Sequence, residues 1–494
     1  MFQTITPEQA GISSLQVEKF LRALENRGLA THSVLLMRGQ SIFAEYYWKP
    51  FHKDQCHRMY SQTKSFVSIA CGLLEQDGKL DLDEPICWYF PDKCPEQLPK
   101  NLQCLTVRQM LTMETCGETP FWFTHPDPDR VHLYFRENPA AIPGGMRWEY
   151  DSPGSMVLSA LVERLSGMSL LEFLRKRIFQ KLGTFQTASI LKTKTEDSFG
   201  DSAMLCTTRD MASFARFVMN YGRWGDEQIL NEAYIRTATT AQVDNDKTGF
   251  AGIWSLGYGY QIWCLGEDAF FFYGMGGQLT LCLPKKDLIF VITSDNQGYQ
   301  EAESLIIAAF FDHIVDYLQD QPLPENACAY ERLCQYGEKL RLCCLAGRTD
   351  SPYAKTLHGK TYYCQENPTG ITEFTFLFPE ADRGELHYVN AQGKKCIYFG
   401  LGKNVFGSFP QLGYSHTHAG AVTTDGFQYQ CAVSAAWREE QKLLIKVQII
   451  DEYLGNAIMI FSFRENHAVV RMLKTAENFL EEYSGCFTAS CRDS

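Results

Sequence analysis

No apolar run in this chain approaches the ~18 residues of a membrane span; the best candidate, 305–311, stops at Asp312 and reads as a core helix. The opening residues lack the basic stretch followed by an apolar stretch that marks a secretory signal. Positive charge is short as well. With 46 Lys and Arg against 58 Asp and Glu, the net charge is −12, which argues against a nucleic-acid surface of clustered cations. No internal repeat, low-complexity tract or Cys-x-x-Cys occurs. The 18 cysteines are spread almost singly, Cys343-Cys344 apart, and fit small buried hydrophobes in a reducing compartment better than a disulfide scaffold or metal cluster. The histidines at 415, 417 and 467 lack metal-ligand spacing. The expectation is a cytoplasmic protein with no cofactor, no metal, and neither nucleic acid nor membrane as partner.

What is present is an ordinary globular composition and 494 residues, enough for two to four domains at roughly 150 each. A helix is expected over 14–27, then a hairpin in which strands 33–37 and 41–47 flank Arg38-Gly39-Gln40. Helical patterns fill the next part to about residue 240, at 106–113, 154–166, 170–179 and 208–221, with Thr207 or Thr208 as an N-cap. Strand patterns return at 270–273, 279–283 and 288–293, ahead of a helix over 301–317. A sheet made from both ends of a segment that encloses helices is an α+β arrangement. Beyond about 321 the texture changes to short strand-like runs; 445–449 alternates strictly. The expected division is a first domain over 1–320, a helical linker over 321–355, and a small all-β domain, barrel or sandwich, over 356–494.

Ser61-Gln-Thr-Lys64 heads a strongly helical stretch that Asp77-Gly78 closes. Residues three apart share a helix face, so the Ser61 hydroxyl and Lys64 amine would lie side by side on a rigid, buried element, as a nucleophile and base require. The same residues also fit a helix start in which Ser61 caps and Lys64 is solvated. Downstream, the Gly-rich turn 143–152 delivers Tyr150 and Ser152 to a loop ahead of a helix. Tyr273-Gly-Met-Gly-Gly-Gln278 joins two apolar strands, where free backbone N–H groups could stabilise an oxyanion, or where a β-bulge could sit at a sheet edge. His125, Trp254, Trp263, Tyr258 and Tyr260 could line a cleft or belong to loop and core.

Together these segments resemble the serine β-lactamase and penicillin-recognising family. The likeness is greatest to its branch of class C β-lactamases, esterases, D-aminopeptidases and 6-aminohexanoate-dimer hydrolases. It extends from about Glu8 to Tyr317 and includes Tyr60 to Phe66, Asp77 to Pro85, Leu105 to Met113, Trp148-Glu149-Tyr150 and Thr208 to Ala212. The resemblance implies the β-lactamase/transpeptidase-like fold. It implies Ser61 as acylated nucleophile, Lys64 as proton acceptor or relay, and Tyr150 as general base. It also implies Ser61 and Gly277 N–H groups as the oxyanion hole, with Gly276, Ser152 and Gln278 beside the substrate. Two positions depart from the family pattern. Ser152 stands where many of these lactamases carry Asn, and Gly274-Met275-Gly276 replaces the usual Lys-Thr-Gly or His-x-Gly. The second change removes the cation and hydroxyl that grip a β-lactam carboxylate. The implied activity is therefore hydrolysis of a small ester, amide or peptide through an acyl-enzyme, with weak or no β-lactam turnover. A β-lactamase, a D,D-peptidase or D-aminopeptidase, and a non-catalytic scaffold are the alternatives.

Overall fold

The computed structural model describes residues 2–117, 125, 127–246, 252–266, 268–412, 418, 427–476 and 479–491. They form two units, one built mainly from residues up to Arg341 and the other mainly from those after it. The helix Ala327–Gly337 falls in the first unit and Tyr353–Leu357 in the second, so the stretch expected as a linker is divided between them.

In the first unit a seven-stranded sheet carries helices on its faces. Its order is Gln3–Thr4, Ser41–Tyr47, Thr31–Arg38, Leu288–Ser294, Gln278–Leu283, Phe270–Gly274 and Trp263–Cys264, antiparallel throughout except at the first pair. The early hairpin therefore pairs with strands some 250 residues later, as the α+β pattern requires. The helix Ser14–Asn26 starts where the Ser13 hydroxyl accepts from the Gln16 N–H, a cap worth about 1 kcal/mol. Its Val17, Phe20, Leu21 and Leu24 recur at helical spacing and are all fully buried. Phe20 meets Phe290 of the sheet edge-on. Thr207 caps Thr208–Met219 through a reciprocal pair with Asp210. On the opposite side the helices Thr63–Gln76 and Ser152–Ser166 pack together in a second apolar cluster.

The second unit is a nine-strand barrel. Its ladder runs from Gly393–Leu401 through Arg383–Asn390, Glu373–Glu380, Thr361–Cys364, Gly485–Ser490, His467–Ala476, Leu454–Arg464 and Lys442–Ile450 to Gln430–Glu439. It closes where Gly400 and Leu401 pair in parallel with Ser434 and Ala435. Along Lys442–Ile450 the strict alternation points Leu443, Ile445, Val447 and Ile449 inward, all fully buried. Closure removes the edges that would expose unpaired strands.

Candidate active site

Ser61 lies on a single 3-10 turn, Tyr60–Gln62, that runs directly into the helix Thr63–Gln76, and it does not cap that helix. Tyr60 has a φ of +47°. A bulky residue in that region costs on the order of 1–3 kcal/mol, so its surroundings must hold it. Its ring is buried 5.0 Å from the Arg58 guanidinium, and its carbonyl accepts from the Thr63 hydroxyl at 2.6 Å. The turn therefore sets Ser61 half-exposed on a fixed shoulder. Lys64, on the helix behind it, is only 1% exposed. Its Nζ donates to Ser61 Oγ at 2.9 Å and to the Asp201 carbonyl at 2.8 Å. Both bonds aim the amine at the hydroxyl; Lys64 is not a solvated first-turn residue.

Tyr150 arrives from the loop before the helix Ser152–Ser166, which Asp151 caps by accepting from the Gly154 N–H at 2.9 Å. Its half-buried ring lies 5.0 Å from Lys64 Nζ and stacks on Trp263 at 5.8 Å with the planes 21° apart. Trp148 and Tyr258 meet Trp263 edge-on behind it. Trp263 and Tyr258 are thus buried props, Tyr260 is buried elsewhere against Tyr234, and Trp254 is half-buried beside Tyr273. Ser61 and Tyr150 both converge on Lys64 Nζ. Ser152 heads its helix, half-buried. His125 lies on a loop, where its Nδ1 accepts from the Asp127 N–H.

The glycine turn packs against the Ser61 turn. A Cβ on Gly274 would come within 2.1 Å of the Met59 carbonyl oxygen, so backbone meets backbone there and no side chain fits. Gly276 and Gly277 have φ of +82° and +88°. The Ser294 hydroxyl donates to both of their carbonyls, at 2.7 and 3.0 Å. Gly277 N–H makes no turn or loop hydrogen bond to backbone among the described residues. Gln278, expected beside the substrate, is fully buried and braces the turn instead. Its amide donates to the carbonyls of Met275 and Ser294 and accepts from the Ser294 N–H. Thr280 Oγ1, on the strand after the turn, donates to Gln62 Oε1 at 2.7 Å and ties the strand to the turn bearing Ser61.

Two buried carboxyls that the motif pattern did not reveal flank the lysine. Burial pushes both Asp201 and Asp151 up to about 6, against the pull of the nearby Lys64 charge and, for Asp201, of Arg58. Asp201 Oδ1 has no hydrogen-bond partner among the described residues. Asp151 additionally accepts from the Tyr134 hydroxyl at 3.2 Å. Asp151 could have been found as an N-cap one residue after Tyr150. Asp201 gives no local signal; it lies 137 residues from the lysine it faces. The arrangement offers a hydroxyl hydrogen-bonded to a buried amine, a tyrosine ring beside that amine, and a glycine turn packed against the backbone just before the serine. These are parts suited to acyl transfer.

The model of the family described as Beta-lactamase matches residues 17–311. A curated relative, the 6-aminohexanoate-dimer hydrolase of Paenarthrobacter ureafaciens, is 26% identical over 280 residues, covering 53% of this chain and 71% of that protein. Among solved structures, a Bacillus anthracis protein provisionally named for the same activity superposes with a TM-score of 0.55 at 19% identity, over 65% of this chain and 89% of its own. An octameric penicillin-binding protein homologue from Pyrococcus abyssi has a TM-score of 0.50 at 16% identity and covers 96% of this chain and 99% of its own. At these identities the two structures speak for the fold alone.

Proposed function

The chain belongs to the beta-lactamase family, and from that premise we propose that it is a serine hydrolase acting through an acyl-enzyme on a small amide, ester or peptide. The observation that carries this reading is the 2.9 Å bond from the buried Lys64 amine to the Ser61 hydroxyl. In the proposed reaction Ser61 Oγ attacks the substrate carbonyl carbon, and its proton passes to the Lys64–Tyr150 pair. The oxyanion lies toward the N–H groups of Ser61 and Gly277, the kind of fixed donors that often supply the largest part of the rate enhancement. The pair returns the proton to the departing amine or alcohol, and water then cleaves the Ser61 ester by the same route. The amide-cleaving name of the curated relative supports an amide among the substrates.

Weak β-lactam turnover follows from the third motif. Gly274 stands where the family places a cation, and the Met59 carbonyl leaves no room for one. A substrate carboxylate there would lose a charge-assisted bond worth about 1.5–3 kcal/mol. None of the described helices is long and apolar enough to cross a membrane, and all 18 cysteines are free, which supports placing the protein in a reducing compartment such as the cytoplasm.

The decisive experiment is labelling of the purified protein with a fluorophosphonate, read by intact mass, in wild type and Ser61→Ala. One adduct on wild type and none on the variant is the expected result. An unlabelled wild type overturns the hydrolase reading, and a labelled Ser61→Ala overturns the choice of nucleophile. A chromogenic cephalosporin assayed against short-chain p-nitrophenyl esters and an anilide tests substrate preference.

A further inference from the structure

A cluster of three metal-binding side chains stands on the outer face of the barrel, in a unit the acyl-transfer site does not use. Glu385 and His387 are two apart on the strand Arg383–Asn390, so the pleat points both outward, while Leu386 and Tyr388 between and beyond them are buried. On the neighbouring strand Gly393–Leu401, Cys396 is the cross-strand partner of His387. Sequence spacing alone gives no hint of this meeting; the antiparallel register makes it. His387 Nε2 lies 2.6 Å from Glu385 Oε2 and 3.7 Å from Cys396 Sγ, and the three donor atoms all fall within 4.8 Å of one another.

We propose that Glu385, His387 and Cys396 form a zinc site, completed by water in the fourth position. A tetrahedral ion with Zn–S of ~2.3 Å and Zn–N of ~2.0 Å holds sulfur and nitrogen ~3.6 Å apart. The observed 3.7 Å needs no adjustment. The same geometry asks for ~3.3 Å between nitrogen and carboxylate oxygen, so the Glu385 side chain opens by less than 1 Å about its flexible stem. The charges also balance. A carboxylate and a thiolate offset the two positive charges of the ion, with a neutral imidazole as third ligand. Binding releases the Cys396 thiol proton to solvent and moves the His387 ring proton from Nε2 to Nδ1. The scaffold is rigid, because both strands belong to the closed barrel. Solvent reaches the fourth position directly, because the His387 and Glu385 side chains are 43% and 24% exposed.

Full-length protein stripped with chelator and titrated with Zn²⁺ against a chromophoric competitor tests this. The wild type should hold one zinc that Cys396→Ser and His387→Gln each weaken by more than the 10–100-fold expected of outer-sphere partners. Titration with Co²⁺ should give a thiolate-to-metal charge-transfer band in the near ultraviolet that Cys396→Ser abolishes. If Cys396→Ser lowers the metal-free melting temperature, the near-isosteric Glu385→Gln serves as the readout, with the same loss of affinity expected. A wild type that binds no zinc, or zinc retained equally by wild type and all three variants, overturns the site and assigns any bound metal to other cysteines.

Discussion

At the scale of single residues, the candidate site is organised around one buried amine. Lys64 reaches Ser61 Oγ and the Asp201 carbonyl and lies against the face of Tyr150. In the proposed reaction the Tyr150 hydroxyl exchanges the proton with that amine, a step that can be removed without disturbing the packing of the ring. Tyr150→Phe keeps the ring stacked on Trp263 and should leave the melting temperature within a degree or two. It should lower kcat by ~10²–10⁴, the usual range for a lost general acid–base group, with little change in KM. Steady-state kinetics on the ester that turns over best, together with a thermal melt, check both halves. A large loss of stability with unchanged kcat would make Tyr150 a core aromatic and nothing more.

At the scale of elements, the hairpin from Phe270–Gly274 to Gln278–Leu283 positions the glycine turn against the turn that bears Ser61. Gly274→Ala would drive a methyl into the Met59 carbonyl. Overpacking of this kind costs about 1–3 kcal/mol and shifts backbone, so both stability and the rate of fluorophosphonate labelling should fall. Thr280→Val offers a gentler test. It removes the donor to Gln62 Oε1 and leaves a buried amide without that partner, a change worth about 1–3 kcal/mol. If labelling by the probe is unchanged in both variants, the hairpin does not set the geometry of Ser61.

At the scale of the whole molecule, buried titratable groups in the first unit make stability depend on pH in opposing ways. Asp201 and Asp151 titrate near 6 when folded, above an ordinary aspartate. Their contribution is full below the unfolded value and is lost as pH rises through about 6. His57, fully buried with its Nε2 2.8 Å from His32 Nδ1, is pushed down to about 4 by burial. Its contribution is present above the unfolded histidine value and is lost as pH falls through about 4. Removing one side of this balance exposes it. Asp201→Asn should gain on wild type by on the order of 3 kcal/mol between about pH 4 and pH 7, about two units at 1.36 kcal/mol each. Urea melts across that range measure the difference, and a gap that stays constant with pH would refute it.

As candidates, Ser61 and Lys64 stood out in the sequence through a three-residue helical spacing with apolar periodicity behind it, whereas Tyr150 on its glycine turn was singled out by the family resemblance. The same local rules gave the α+β first domain and the all-β C-terminal region, since period and turn chemistry act within a few residues. They left barrel or sandwich undecided, because closure depends on Gly400 and Leu401 meeting Ser434 and Ala435. Local patterning also did not show that Gln278, which the resemblance set beside the substrate, is buried with backbone partners brought in from the next strand. Asp201 and the Glu385–His387–Cys396 cluster were beyond it for the same reason. An aspartate facing a lysine 137 residues away, and a cysteine opposite a histidine across a ladder, are matters of register and packing. Sequence by itself determined which residues could do chemistry and on which elements they ride. Only the tertiary structure decided which of them share a place, because burial and strand pairing bring together groups that no local spacing connects.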